Sequence, residues 1–378
     1  MFFRDIIGQE KIKSHLRQTV EKDRIPHAQM FSGPAGTGKL SMALAYAQYI
    51  NCENRQDGDA CGICPSCKKF QSLTYADLHF IFPTFNLAGA KTKGSDNFLP
   101  QWREKIQENP YFDQIQWALF IDPKGTKQLT IFKDDSDKII HQLNFKSYEG
   151  GYKTIILWLP EKLNLTAANK LLKVIEEPYP KTLFLLITES IDRVLPTIVS
   201  RTQLIKFSKL PVQDIESFLQ KKYPELTESQ INNFAHIAGG NLIEAEKLAQ
   251  SDPAETNSLL EDFIQFMRLC YRFNFDDLLS FTDRLSGTGK EYLKNFFLFA
   301  TRMLRENFLM NIQLQNLNSL SKAERDFSEK FSSFITPENT KGILDEMNLA
   351  FFHIERNGNV KLILFDLALR TGKLLRKK

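Results

Sequence analysis

From residue 28 to about 207, short runs of β-branched and aromatic residues alternate with stretches of helical period, a pattern that predicts strands interleaved with helices. Ala28-Gln29-Met30-Phe31 reads as a first strand, Gly33 to Gly38 as a glycine-rich loop, and Lys39 to Ile50, rich in Ala, Leu and Met, as a helix. Further strands are expected at Leu78 to Phe82, Lys153 to Leu159, Thr182 to Thr188 and Gln203 to Phe207. The unbroken apolar runs Ile155 to Leu159 and Leu183 to Ile187 read as buried strands, so the expected sheet is parallel and covered by helices. Thr166 to Glu176 is an intervening helix that stops ahead of Pro178. Its residues Ala168, Leu171, Leu172 and Ile175 fall at i, i+3, i+4 and i+7 and give one apolar face to lie on the sheet.

The rhythm breaks between residues 84 and 150, where Gly, Lys, Asn and Asp interrupt scattered aromatics, and this stretch reads as an insertion. After Phe207 helical periodicity takes over, in Pro211 to Lys221, Glu228 to Ala238 and Ile243 to Gln250. Beyond Pro253 come long Phe- and Leu-rich helices that end with Val360 to Leu375 and a basic tail. The expected fold class is therefore α/β followed by all-α. An α/β domain spans 1–207 with its insertion at about 84–150, a small helical domain spans 208–252, and a helical domain spans 253–378. No period of about 20 to 50 residues suggests a solenoid.

Composition narrows the class without naming a function. The 378 residues are 42% apolar and 25% charged, as in a globular protein. No apolar run approaches the roughly 20 residues of a membrane helix. Met1-Phe2-Phe3-Arg4-Asp5 carries charge where a secretory signal needs its apolar core, so the expected location is cytoplasmic, with no membrane partner. A net charge of +4 permits contact with nucleic acid but does not point to it.

Cysteine usage changes the picture. Four of the five cysteines, Cys52, Cys61, Cys64 and Cys67, form a C-x8-C-x2-C-x2-C cluster. Zinc takes four thiolates tetrahedrally, and the tight C-x-x-C turns place two sulfurs on one side of the ion. An iron–sulfur cluster is the rival, and reduced thiols the alternative to any metal. With no redox signature elsewhere, structural zinc is favoured, with all four ligand positions filled and none open for catalysis. Cys270, in an apolar helical stretch, is expected in a core.

Gly33-Pro34-Ala35-Gly36-Thr37-Gly38-Lys39 matches the G-x-x-x-x-G-K phosphate loop and lies between an expected strand and an expected helix. In such a loop Gly33, Gly36, Thr37 and Gly38 turn backbone N–H groups toward a phosphate, and Lys39 reaches its outer oxygens. The Ser or Thr that should follow the lysine to hold magnesium is Leu40. Ser41 is rotated by roughly 100° around the helix and is not expected to substitute. Hydrolysis also needs acids at the end of a buried strand, and there the chain has Trp158-Leu159-Pro160-Glu161. Glu161 reads as a solvated loop acid. Two defects in one chemistry weigh against hydrolysis and against magnesium-dependent ATP binding.

Together these residues resemble the AAA+ clamp-loader subunits of bacterial DNA polymerase III, most closely the delta-prime type, over about 250 residues. The resemblance rests on Asp5-Ile6-Ile7-Gly8-Gln9-Glu10, His27-Ala28 before the loop, the cysteine module directly after the loop helix, and Ala167-Ala168-Asn169-Lys170-Leu171-Leu172-Lys173 with Glu176-Glu177-Pro178. It continues through Thr182-Leu183-Phe184 and Leu195-Pro196-Thr197-Ile198-Val199-Ser200-Arg201-Thr202. In the family this last segment is a Ser-Arg-Cys motif whose arginine reaches into the ATP site of a neighbouring motor subunit. Ser200 and Arg201 match it, and Thr202 replaces the cysteine.

The resemblance implies a vestigial phosphate loop and an arginine finger, Arg201, donated in trans. It implies that 208–252 is the lid domain, with Ile243 where motor subunits carry an ATP-contacting arginine, and that 253–378 is the collar that joins subunits into a ring. The implied partners are gamma/tau- and delta-type subunits, the sliding clamp, and primed DNA through the complex. The insertion is longer than the family leads one to expect and receives no role. Two other readings stand beside this one. One is an autonomous gamma/tau-like AAA+ ATPase using Lys39 with Ser41 or Glu161. The other is a zinc-dependent nucleic-acid module, for which only Lys68 and Lys69 supply basic surface near the cysteines.

Overall fold

The computed structural model describes residues 1–376 apart from 88, 90, 91, 124–126, 251, 252, 315–317, 319 and 357. Parts of the insertion, the residues before the expected 252/253 boundary and the last two residues of the basic tail therefore lie outside the described residues. The chain forms two compact units, Met1–Ala249 and Gln250–Lys378.

In the first unit five strands, β1 (Ala28–Ser32), β2 (Leu78–Ile81), β3 (Lys153–Trp158), β4 (Thr182–Thr188) and β5 (Gln203–Lys206), form one parallel sheet in the order β2-β3-β4-β1-β5. This is the AAA+ P-loop architecture that the resemblance implies. The helices are α1 (Glu10–Glu21), α2 (Lys39–Ile50), α3 (Pro65–Gln71), α4 (Leu99–Glu108), α5 (Gln114–Ile121), α6 (Lys133–Leu143), α7 (Leu165–Glu176), α8 (Pro196–Val199), α9 (Val212–Lys222), α10 (Glu228–Ala238) and α11 (Leu242–Gln250). Side chains alternate across each strand, which explains why the apolar runs are unbroken. Ile156, Trp158, Leu185 and Ile187 face one core layer with Leu16, Met42 and Tyr46. Ile155, Leu157, Phe184 and Leu186 face the other with Ile139, Leu171 and Ile175. On α7 the buried face is Ala167, Ala168, Leu171, Val174 and Ile175, so Val174 belongs to it and Leu172 is only half-buried.

The insertion is the main departure from expectation. It carries α4, α5 and α6, is tied down by bridges between Thr84 and Thr130 and between Ile131 and Leu163, and buries Trp102 and Trp117 completely. Trp102 stacks on Phe82 at 4.1 Å between ring centres and meets Trp117 edge-on at 5.0 Å. The Trp117 indole N–H donates to the Pro83 carbonyl at 2.8 Å, so its one polar atom is satisfied inside the core. Asp113 starts α5 with a capping box, its carboxylate accepting from the Gln116 N–H at 2.8 Å. The segment reads as an interruption because polar helix surfaces separate its aromatics, yet those aromatics complete one face of the sheet.

Residues 210–245 pack a small core of their own around Leu210, Ile215, Leu219, Ile231, Ala235 and Leu242. Thr227 and Gln230 cap α10, and Gly239 ends it in the left-handed conformation. The second unit consists, among the described residues, of α12 (Pro253–Arg272), α13 (Phe275–Ser286), α14 (Lys290–Asn311), α15 (Lys322–Phe331), α16 (Pro337–Glu355) and α17 (Val360–Arg376). Its core includes Phe263, Phe266, Phe296, Met303 and the fully buried Cys270. Gly372 lets α17 approach α12, because a Cβ there would lie 2.4 Å from the Cys270 carbonyl oxygen. Among the described residues no helix is long and apolar enough to cross a membrane.

Burial leaves a pH signature on the edge strand β2, where His79 is held down to about 4 from 6.5. Between those values the unfolded chain takes up a proton that the folded chain does not. The share of stability that depends on His79 is therefore complete above about pH 6.5 and falls toward pH 4, by up to about 1.4 kcal/mol per pH unit. Urea unfolding across this range should show a shallower acid loss in His79→Gln than in the wild type, and equal slopes would contradict the assignment.

Candidate functional site

Parallel strands send their carboxyl ends to one edge of the sheet, and the loop after the interior strand β1 opens there. Gly36 and Gly38 take φ of 71° and 81°, the left-handed region that lets the chain wrap tightly before α2. Gly33 is dictated by packing, since a Cβ would lie 2.4 Å from the Phe207 carbonyl oxygen. The Thr37 hydroxyl donates to the Pro34 carbonyl at 2.9 Å, inside the loop. Lys39 turns back on its own loop, donating to the carbonyls of Gly33 at 2.8 Å and Pro34 at 2.5 Å. Burial lowers the Lys39 ammonium to about 8, against the opposing pull of the Glu189 and Glu161 carboxyls.

Leu40 and Ser41 are both buried, as are Trp158 and Leu159 at the end of β3. Glu161 is not the solvated acid that its loop position suggests. Leu159 adopts φ 59° and turns the chain into a short 3-10 turn, which draws the Glu161 carboxylate under the sheet edge. There it accepts from the Thr188 hydroxyl at 2.9 Å, and burial raises its pKa. The space left beside the loop is a cavity of about 20 Å³, lined among others by Lys39, Tyr111, Phe112, Trp158, Glu189 and Ile243. Pockets for small molecules run to about 300–1,000 Å³. Tyr111, Phe112 and Glu189 were not singled out from the sequence. Tyr111 and Phe112 lie in the insertion far from any motif, and Glu189 follows β4 with nothing around it to mark it.

The cysteine module sits directly after α2. The sulfurs of Cys52, Cys61, Cys64 and Cys67 all lie within 4.8 Å of one another, with Cys61 and Cys67 at 3.9 Å. Metal–sulfur bonds of about 2.3 Å in a tetrahedron require about 3.8 Å between sulfurs, so the four thiols fit a single ion. The N–H of Cys64 points at the Cys61 sulfur at 3.4 Å, that of Cys67 at the Cys64 sulfur at 3.4 Å, and that of Cys61 at the Cys52 sulfur at 3.2 Å. Such donors stabilise thiolate ligands. Those of Cys64 and Ile63 bring the Cys61 thiol down to about 6, while burial raises Cys52 and Cys67. The module also anchors the N-terminus, because the Asp59 carboxylate accepts from the N–H groups of Phe3 and Arg4 at 3.2 and 3.1 Å. Lys69 is taken by Glu149 at 2.7 Å, which thins the basic surface that a nucleic-acid module would need.

Arg201 stands between α8 and the edge strand β5, away from the loop in sequence. Its Nε and one terminal nitrogen share a single Glu176 carboxylate oxygen at 2.9 Å, and its other terminal nitrogen donates to the Thr197 carbonyl at 3.1 Å. The guanidinium is partly exposed and the carboxylate more so, and such surface pairs contribute only about 0–1 kcal/mol. The pair orients the arginine without committing it.

A sequence model of the family described as DNA polymerase III, delta subunit, matches residues 8–211, more than half of the chain. The chain belongs to this family. It is 28% identical over 244 residues to DNA polymerase III subunit delta' of Bacillus subtilis, covering 65% of this chain and 60% of that protein. It is 27% identical over 250 residues to DNA polymerase III subunit tau of the same organism, covering 65% of this chain but only 37% of that protein. The chain thus spans less than two thirds of either relative. Among solved structures, a DNA polymerase III gamma subunit-related protein of Thermotoga maritima aligns over 96% of this chain and 99% of its own, at 15% identity and a TM-score of 0.39.

The four-sulfur geometry carries a direct expectation about metal. Elemental analysis of the purified chain should find about one metal ion per molecule, released when the thiols are titrated. Removal should raise hydrogen exchange around residues 52–67 and at Phe3 and Arg4, and a metal-free chain with unchanged exchange there would remove the structural role.

Proposed function

We propose that the chain is a delta'-type subunit of a DNA polymerase III clamp loader that hydrolyses no ATP itself and completes the ATP site of a neighbouring motor subunit through Arg201. The observation that carries this reading is the contrast within one unit. The phosphate loop is closed down to about 20 Å³, with Leu40, Trp158 and Ile243 where cation and phosphate ligands would be needed, while Arg201 is partly exposed and weakly held. An arginine from outside adds positive charge where the transferring phosphoryl group accumulates negative charge, and it needs no nucleotide on its own chain.

In this reading the ion held by Cys52, Cys61, Cys64 and Cys67 is a structural zinc, and the chain works in the cytoplasm. Residues 1–207 form the AAA+ domain, 208–252 the lid and 253–378 the collar through which it joins gamma/tau- and delta-type subunits. The sliding clamp and primed DNA are met through that complex. A gamma/tau-like motor role would need a magnesium ligand after Lys39, and Leu40 offers none.

Two measurements test the proposal. The purified chain with magnesium and primed DNA should hydrolyse ATP only at background. In a loader reconstituted with its motor subunits, Arg201→Ala should slow the site it completes by on the order of a thousandfold, with clamp loading falling accordingly and the melting temperature unchanged. Unaltered turnover in the reconstituted variant would remove the finger role.

A further inference from the structure

The cavity beside the phosphate loop is small because something fills it, and the filler comes from the insertion. Asn109 folds the turn after α4, its side-chain oxygen accepting from the Tyr111 N–H at 2.9 Å, while its amide donates to the buried Glu246 on α11 at 2.7 Å. Glu246 is also paired with Lys222 on α9. From this turn the Tyr111 hydroxyl accepts from the Ile7 N–H at 3.1 Å and rests against Gly38, where a Cβ would come within 3.1 Å of it. Phe112 goes the other way and packs edge-on against Trp158 and Trp102 at 5.3 and 5.4 Å. The same loop is held from a third side. The Leu242 N–H donates to the Gly36 carbonyl at 3.2 Å, and a Cβ on Gly36 would fall 1.8 Å from the Asn241 side-chain oxygen.

We infer that the Asn109–Phe112 turn of the insertion occupies the nucleotide's place in the phosphate loop and locks the loop to α11, making this site a fixed joint that takes up no ATP. The lysine and the helix start that would greet a triphosphate are already taken up. The Lys39 ammonium is spent on the Gly33 and Pro34 carbonyls, and Tyr111 lies against the start of α2, where loop N–H groups would meet a phosphate. Burial raises the Tyr111 phenol to about 12, in keeping with an enclosed, uncharged plug. The remaining space holds about one water. The joint gives the insertion a role and goes beyond the finger proposal, because a chain can lend Arg201 whether or not its own loop is closed.

Calorimetric titration of the full chain with millimolar ATP or ADP, with and without magnesium, decides the matter. The wild type should show no binding. Tyr111→Ala should gain binding, tighter by at least about tenfold than the wild-type limit, and should lose it again when Lys39→Ala is added. Micromolar binding by the wild type would overturn the inference, as would a cooperatively folded Tyr111→Ala that binds no better. Should Tyr111→Ala not fold, Asn109→Ala unties the turn from Glu246 without opening the aromatic core. It should speed hydrogen exchange at the Leu242 amide, and unchanged exchange would equally overturn the joint. Failure of the Arg201 proposal is read separately, in the ATPase of the reconstituted loader.

Discussion

The parallel pairing of β1 with β4 on one side and β5 on the other is the constraint on which the site depends. Parallel neighbours cannot be joined by tight turns, so each connection crosses a face of the sheet and every strand delivers its carboxyl end to the same edge. Gly33, Phe82, Trp158, Glu189 and Phe207 converge there although they are scattered over most of the first unit's length. What happens at that edge is then a contest for space. In this chain aromatic side chains win it, and the buried end of β3 becomes the floor of a hydrophobic cluster.

Much of this was legible in the sequence. Strand runs of β-branched and aromatic residues, the glycine loop and the cysteine spacing are local signals, each set by a few neighbouring residues, and each element appears within a residue or so of its expected place. Leu40 and Trp158 could be read as defects because the chemistry demands particular atoms at particular positions. The plug could not be read, because Tyr111 meets Gly38 across more than seventy positions and no local pattern marks the encounter. The same holds for Glu161, whose loop looks solvated until the turn at Leu159 is known.

The cysteine module and the insertion act in comparable ways. Each ties a segment distant in sequence to the rest of the first unit. The module holds the N-terminus through Asp59 and closes on the end of α2, where Arg55 donates to the carbonyls of Tyr49 and Ile50 at 2.8 Å. The insertion holds α11 through Asn109 and Glu246. Both put polar ties at the rim and aromatic or sulfur packing inside.

Gly33 and Gly36 carry a wider consequence. Each is required by a neighbouring protein atom, the Phe207 carbonyl in one case and the Asn241 side chain in the other, with no phosphate involved. The packing around these two glycines thus excludes any side chain there, whether or not the loop holds a nucleotide. In a lineage that no longer handles ATP at this position, drift would be free to erase the lysine's chemistry long before it could touch the glycines.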